Sequence, residues 1–205
     1  MSIPISTIEQ LQLIGNDPAY PLDGDYVLTQ DIDASDTVNW NGGAGFVPIG
    51  GAFTPFTGTF NGDGHVVSGL VVNRPLTGLV GLFGRVDGIV EQLGSVNGIL
   101  IGSSFVGGLI GNACESSVIK NCYSGNSVTG YGASGLVARV GPDATVINSY
   151  SFGVVSGEEK AGFSASVDGV ISSCYWDVES SGCLTSAGGT GKTTAEMKNP
   201  LTFPW

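Results

Sequence analysis

Four short segments recur at a fixed interval: Gly81-Leu82-Phe83-Gly84, Gly108-Leu109-Ile110-Gly111, Gly135-Leu136-Val137-Ala138 and Gly162-Phe163-Ser164-Ala165. Their leading glycines stand at 81, 108, 135 and 162, three equal steps of 27 residues. A second rank keeps the interval, since Val118-Ile119-Lys120-Asn121-Cys122-Tyr123-Ser124 returns as Thr145-Val146-Ile147-Asn148-Ser149-Tyr150-Ser151. A looser copy runs from Gly169 to Tyr175 and a weaker, earlier one from Gly88 to Gly94. This period suits one coil of a parallel β-helix. The apolar runs are two to four residues long and broken by Gly, which rules against an apolar stripe at helical spacing.

If each repeat is one coil, equal positions stack about 4.8 Å apart. Tyr123, Tyr150 and Tyr175 are then expected in one exposed column, and Cys122, Ser149 and Cys174 in another. Asn121 over Asn148 is expected to form a side-chain amide ladder at a turn. Leu82, Leu109, Leu136 and Phe163 should point inward as the repeat core, and the Gly beside each should supply close backbone approach or a positive φ.

The ends of such a stack need covering, because unpaired strand edges aggregate. Ser6-x-x-Glu9 reads as a capping box, followed by Ile8, Leu11 and Ile14 at helical spacing and by Gly15 as a stop. Thr193-x-x-Glu196 repeats the signature before Pro200. We expect one all-β domain over 1–205, a right-handed parallel β-solenoid with short capping helices. It divides into an N-terminal cap with irregular first coils (1–56), repeat coils (57–186) and a C-terminal cap (187–205).

Composition narrows the function. Net charge is −11, a field that repels phosphate backbones and argues against nucleic-acid binding. No apolar run approaches the roughly 20 residues that cross a bilayer, so membrane insertion is not expected. The segment Met1-Ser2-Ile3-Pro4-Ile5 has neither the basic nor the apolar region of an export signal. The four cysteines, at 114, 122, 174 and 183, follow no zinc spacing. Cys122 and Cys174 stand two coils apart, beyond disulfide reach, which leaves Cys174–Cys183, Cys114–Cys122 or buried free thiols.

The order of motifs along the chain resembles GLUG-repeat proteins. Leu11-Gln12-Leu13-Ile14-Gly15, Val47-Pro48-Ile49-Gly50, Phe56-Thr57-Gly58-Thr59-Phe60-Asn61-Gly62-Asp63-Gly64-His65, Val106-Gly107-Gly108-Leu109-Ile110-Gly111 and Cys174-Tyr175-Trp176-Asp177 carry the resemblance. It implies secreted or surface-anchored adhesin-like proteins and brings no catalytic residue with it. The third and fourth ranks depart from the pattern, with Ala138 and Ala165 where the last Gly would stand.

Few residues offer chemistry. Ser186 to Thr193 looks like a phosphate loop, but Ser186 replaces its first Gly and only 12 residues follow Thr193. His65 is the only histidine and follows a turn sequence. Asp177 and Glu179 show no partner carboxylates of the kind a glycosidase needs. Asp23, Asp25, Asp31, Asp33, Asp36 and Asp63 carry the oxygen ligands that Ca²⁺ prefers, without matching a known Ca²⁺ loop; turn formation explains them better. No other cofactor is implied. We therefore expect no enzymatic activity and an extracellular or cell-surface module that binds glycan or protein through Tyr123, Tyr150, Tyr175, Asn121 and Asn148. The alternatives are a self-assembling filament, sheath or virion subunit, and a polysaccharide-active β-helix enzyme.

Overall fold

The computed structural model describes residues 2–203. The chain winds into a parallel β-solenoid with three sheets, of seven, four and nine strands. The four-stranded sheet keeps the strict period: Phe83 pairs with Ile110, and Ile110 with Val137. Its last step, Arg139 against Ser166, is regular too, so the loss of Gly at 138 and 165 does not disturb the register.

The interval is not uniform around the coil. On the seven-stranded sheet Val90 pairs with Ile119, 29 residues on. On the nine-stranded sheet Gly125 pairs with Val96, Ser127 with Ile99 and Tyr131 with Ser104, so the offset falls from 29 to 28 to 27 through two irregularities of the ladder. Each leaves one residue of the longer strand unpaired, in the manner of a β-bulge. The longer coil thereby returns to the period of its neighbours.

One hydrophobic core runs through the coils. Leu82, Leu109, Leu136 and Phe163 are all fully buried in it, as the repeat requires. The glycines preceding them work by close approach and not by positive φ. A Cβ on Gly108 would clash with the carbonyl of Gly135 in the next coil and with the Ser124 hydroxyl; on Gly135 it would meet the carbonyl of Gly162 and the Ser151 hydroxyl. At Gly108 and Gly135 the missing side chain thus makes room for a serine arriving from the nine-stranded sheet, and at Gly162 for the Trp176 indole.

Asn121 and Asn148 mark a corner. Both are left-handed (φ 55° and 50°), as are Gln92 and Ser173 at the same corner of adjacent coils. Asn tolerates this region better than most residues. The expected amide ladder is not formed: among the described residues no bond joins the two side chains. The coils are linked there through the backbone, Asn121 N–H donating to Ile147 O at 3.2 Å and Asn148 N–H to Ser172 O at 3.2 Å.

The N-terminal helix spans Ile8–Leu13 and buries Ile8 and Leu11, with Ile14 buried just beyond it. Its cap lies one residue later than the sequence motif suggests. Thr7 accepts the Gln10 N–H, and the Gln10 side chain reaches back to the Ser6 N–H at 2.8 Å. The C-terminal capping box of Thr193 and Glu196 forms as expected on Thr194–Met197, but this helix buries no residue. The last coil is covered instead by the segment before the helix: Thr185 O accepts from Gly162 N, Ser186 Oγ from Phe163 N and Ser164 N, and Ala187 N donates to Ser164 O. Residues 204 and 205 of the expected cap lie outside the described residues.

Candidate functional site

The outer face of the nine-stranded sheet differs from the rest of the surface in carrying no charge over its central coils. No Asp, Glu, Lys or Arg occurs in 66–73, 93–114, 121–138 or 144–157, the stretches that supply those strands, apart from Arg74 at the end of the strand Val71–Arg74, whose guanidinium donates to Phe46 O and Gly45 O. Alternation along each strand turns Val96, Ile99 and Ile101 outward from one coil, and Tyr123, Ser127 and Thr129 from the next. Phe152, Val154 and Ser156 continue the face on the following coil, all exposed. The other two sheets place ion pairs outward, Lys120 to Glu91 at 2.7 Å and Arg85 to Asp87 at 2.8 Å.

The expected tyrosine column is present in the backbone, where Tyr123 pairs with Tyr150 and Tyr150 with Tyr175. The rings of Tyr123 and Tyr150 stack at 5.1 Å with an interplanar angle of 6°. Tyr123 in turn lies against Gly94, whose missing side chain leaves room for the ring. Phe203 comes in from the C-terminal segment, tilted on Tyr150 at 5.2 Å and edge-on to Tyr175 at 5.7 Å. Burial pushes the Tyr123 and Tyr150 phenols above their ordinary pKa. These tyrosines are half-buried, and Tyr123 and Tyr150 cover each other's ring faces.

A groove opens where this face meets the C-terminal helix. Tyr150, Phe152 and Met197 form its apolar walls, Asp177, Ser180 and Thr194 its polar lining, and Lys198 lines it as well; its volume is about 290 Å³. Asp177 is held in place from two sides. Its Oδ1 accepts the N–H groups of Glu179 and Ser180, capping the turn Val178–Ser181, and its Oδ2 accepts the Thr194 hydroxyl at 2.7 Å. Glu179 accepts the Thr194 N–H at 2.8 Å. The two carboxylates that alternate in sequence thus anchor the C-terminal helix.

The remaining sequence candidates are dispersed. His65 Nδ1 lies 3.1 Å from Asp31 at the first edge of the nine-stranded sheet, and Asp31 also accepts the Val66 N–H. Asp33 accepts the Ser35 N–H and so closes a turn. Among the described residues no group of three or more His, Cys, Asp or Glu stands together as a metal site. All four cysteines are free and buried. Ser186 to Thr193 forms the end-covering segment and the strand Thr190–Lys192, not a loop opening a long helix.

Asn126 went unnoticed in the sequence. It is fully buried and makes three side-chain hydrogen bonds: to Ser95 Oγ (2.7 Å), to Gly108 O (2.8 Å), and from Gly98 N (2.7 Å). Its signal was the mismatch of intervals, 29 from Gly94 to Tyr123 against 27 from Gly81 to Gly108, which requires bulges in between.

No family model matches the chain. It is 37% identical over 133 residues to halomucin of Haloquadratum walsbyi, which covers 62% of this chain and 1% of that protein. It is also 37% identical over 93 residues to a candidate Gly-rich membrane protein of Evansella cellulosilytica, covering 42% of this chain and 10% of the relative. The chain therefore spans a small part of the curated relatives it matches. Among solved structures, a candidate immunoglobulin A1 protease from Bacteroides ovatus superposes with a TM-score of 0.50 at 17% identity, over 96% of this chain and 85% of that one. That likeness concerns the fold.

Proposed function

We propose that this chain is a non-catalytic binding module of a larger surface protein, and that the outer face of its nine-stranded sheet contacts glycan or protein. The observation that carries this is the charge-free face on a chain of net charge −11. Exposed apolar side chains gathered on one face mark interaction surfaces in soluble proteins. Ile99 (51% exposed), Val154 (53%) and Phe152 (38%) lie on it together. The names of the two relatives, a mucin and a membrane protein, support a surface location.

End-to-end assembly has less support. Ile3–Ile5 is the outermost strand of the seven-stranded sheet, and Ile5 O accepts from Thr29 N within the sheet. Alternation then directs Pro4 to the outer edge, where it has no N–H to offer an incoming strand.

The test is an array carrying glycans and extracellular matrix proteins, probed with labelled chain and with an Ile99→Glu/Val154→Glu variant. Binding by the wild type that the variant loses, at unchanged circular dichroism, is expected. A wild type that binds nothing, or a variant that binds equally well, sinks the proposal.

A further inference from the structure

We infer, building on the binding face proposed above, that its ligand is a neutral, hydroxyl-rich polysaccharide chain, with one sugar ring seated in the groove between Phe152 and Met197. Three features of the face select this class.

First, the strands Gly94–Ser104 and Tyr123–Tyr131 behind the face are paired on both sides, and the open edge is confined to the two-residue strand Val155–Ser156, which pairs with Tyr123–Tyr131 alone and is a short template for an extended peptide. Recognition falls to side chains, and those present are hydroxyls (Ser127, Thr129, Ser156, Tyr123, Tyr150) interleaved with aliphatic and aromatic groups. A sugar polymer has the same alternation, apolar C–H patches between hydroxyls. Second, the groove volume of about 290 Å³ accommodates one hexose ring, and its walls are apolar. Phe152 lies across Gly125, where a Cβ would strike the ring, and is the most exposed ring of the groove. An aromatic face against C–H groups is a favourable contact for such a ligand. Third, charge decides between occupants. A second copy brings another −11 to the interface, and an acidic polymer is repelled by the same field. A neutral chain meets neither penalty. Among the described residues lining the groove, Lys198 is the one cation and Asp177 the one anion, so this lining carries no net charge.

The experiment uses the full chain, methyl-labelled at methionine and ring-labelled at phenylalanine, titrated with cellohexaose, xylohexaose, maltohexaose and hexagalacturonate. At least one neutral hexasaccharide should shift the Met197 and Phe152 signals saturably. Its affinity should hold between about 0.05 and about 0.5 M NaCl, because no ion pair is screened. Phe152→Ala should weaken it about tenfold or more, the scale of one aromatic contact, whereas Val38→Ala, at an exposed site elsewhere, should not. Binding of hexagalacturonate alone, loss of binding with salt, or a salt-promoted dimer that covers Ile99 and Val154 overturns the inference. If no neutral sugar binds but a matrix protein does, and Ile99→Glu/Val154→Glu abolishes it, the ligand class falls while the binding face stands. If nothing binds, both fall.

Discussion

Asn126 Oδ1 accepts the Gly98 N–H at 2.7 Å, across the point where the register of the nine-stranded sheet slips by one residue. Its amide nitrogen is used twice more, by Ser95 Oγ and Gly108 O. The side chain therefore satisfies a bulge inside the core, where an unpaired backbone N–H would be costly. Asn126→Leu, close in size, should destabilise the fold by about 2–4 kcal/mol, since it strands several buried polar groups at once. Urea unfolding of the variant checks this; a loss below about 1 kcal/mol would show that the bulge does not depend on Asn126.

Gly162 faces the Trp176 indole so closely that a Cβ would overlap Cδ1 and Nε1, and that indole is fixed by its hydrogen bond to Cys183 O at 3.0 Å. Gly162→Ala should cost about 1–3 kcal/mol by overpacking. Trp176→Phe in the same background should recover part of it, because the smaller ring vacates the clash. Thermal melts of the two variants read the difference; an Ala variant as stable as the wild type removes close approach as the reason for the repeating Gly.

The cap of the first helix separates two adjacent residues. Thr7→Ala should cost about 1 kcal/mol through the lost bond to Gln10 N. Ser6→Ala should cost less, because it keeps the Ser6 N–H bond to Gln10 Oε1 at 2.8 Å and loses only the hydroxyl's longer bond, 3.1 Å, to the same oxygen. Equal losses in chemical denaturation would contradict the Thr7 assignment.

Burial pushes the Cys122 and Cys174 thiols up to about 12, from an ordinary value of 9.0. A folded pKa above the unfolded one leaves stability intact below pH 9 and erodes it as pH rises towards the folded value. Each thiol should then contribute a loss of ~1.4 kcal/mol per pH unit in that window. The Cys122→Ala/Cys174→Ala variant should show a shallower alkaline decline than the wild type. In the native protein at pH 8, a thiol reagent should leave both residues unlabelled, and urea should release them; rapid native labelling would refute their burial.

Much of the fold was legible because a solenoid writes its geometry into the sequence. Leu82, Leu109, Leu136 and Phe163 recur at one interval and occupy one interior position, so periodicity alone places them. The Thr193–Glu196 capping box was also readable, since it is local. The Ser6–Glu9 box and the Asn121–Asn148 ladder were not, for a common reason. In each, a neighbouring group offers another hydrogen-bonding arrangement and the structure takes it: Thr7 with Gln10 at the helix start, and the backbone of the left-handed corner between the coils.

The candidate site divides in the same way. That the face is uncharged follows from the sequence by itself, because residues 93–114, 121–138 and 144–157 hold no ionisable acid or base of the Asp, Glu, Lys or Arg type. That these stretches lie side by side, that Tyr123 and Tyr150 close their ring faces against each other, and that Phe152 and Met197 enclose a groove were decided only by the tertiary structure. A repeat fixes which positions stack. It does not fix ring tilt or where a non-repeating terminal segment returns to the coil, because those depend on packing between residues far apart in the chain.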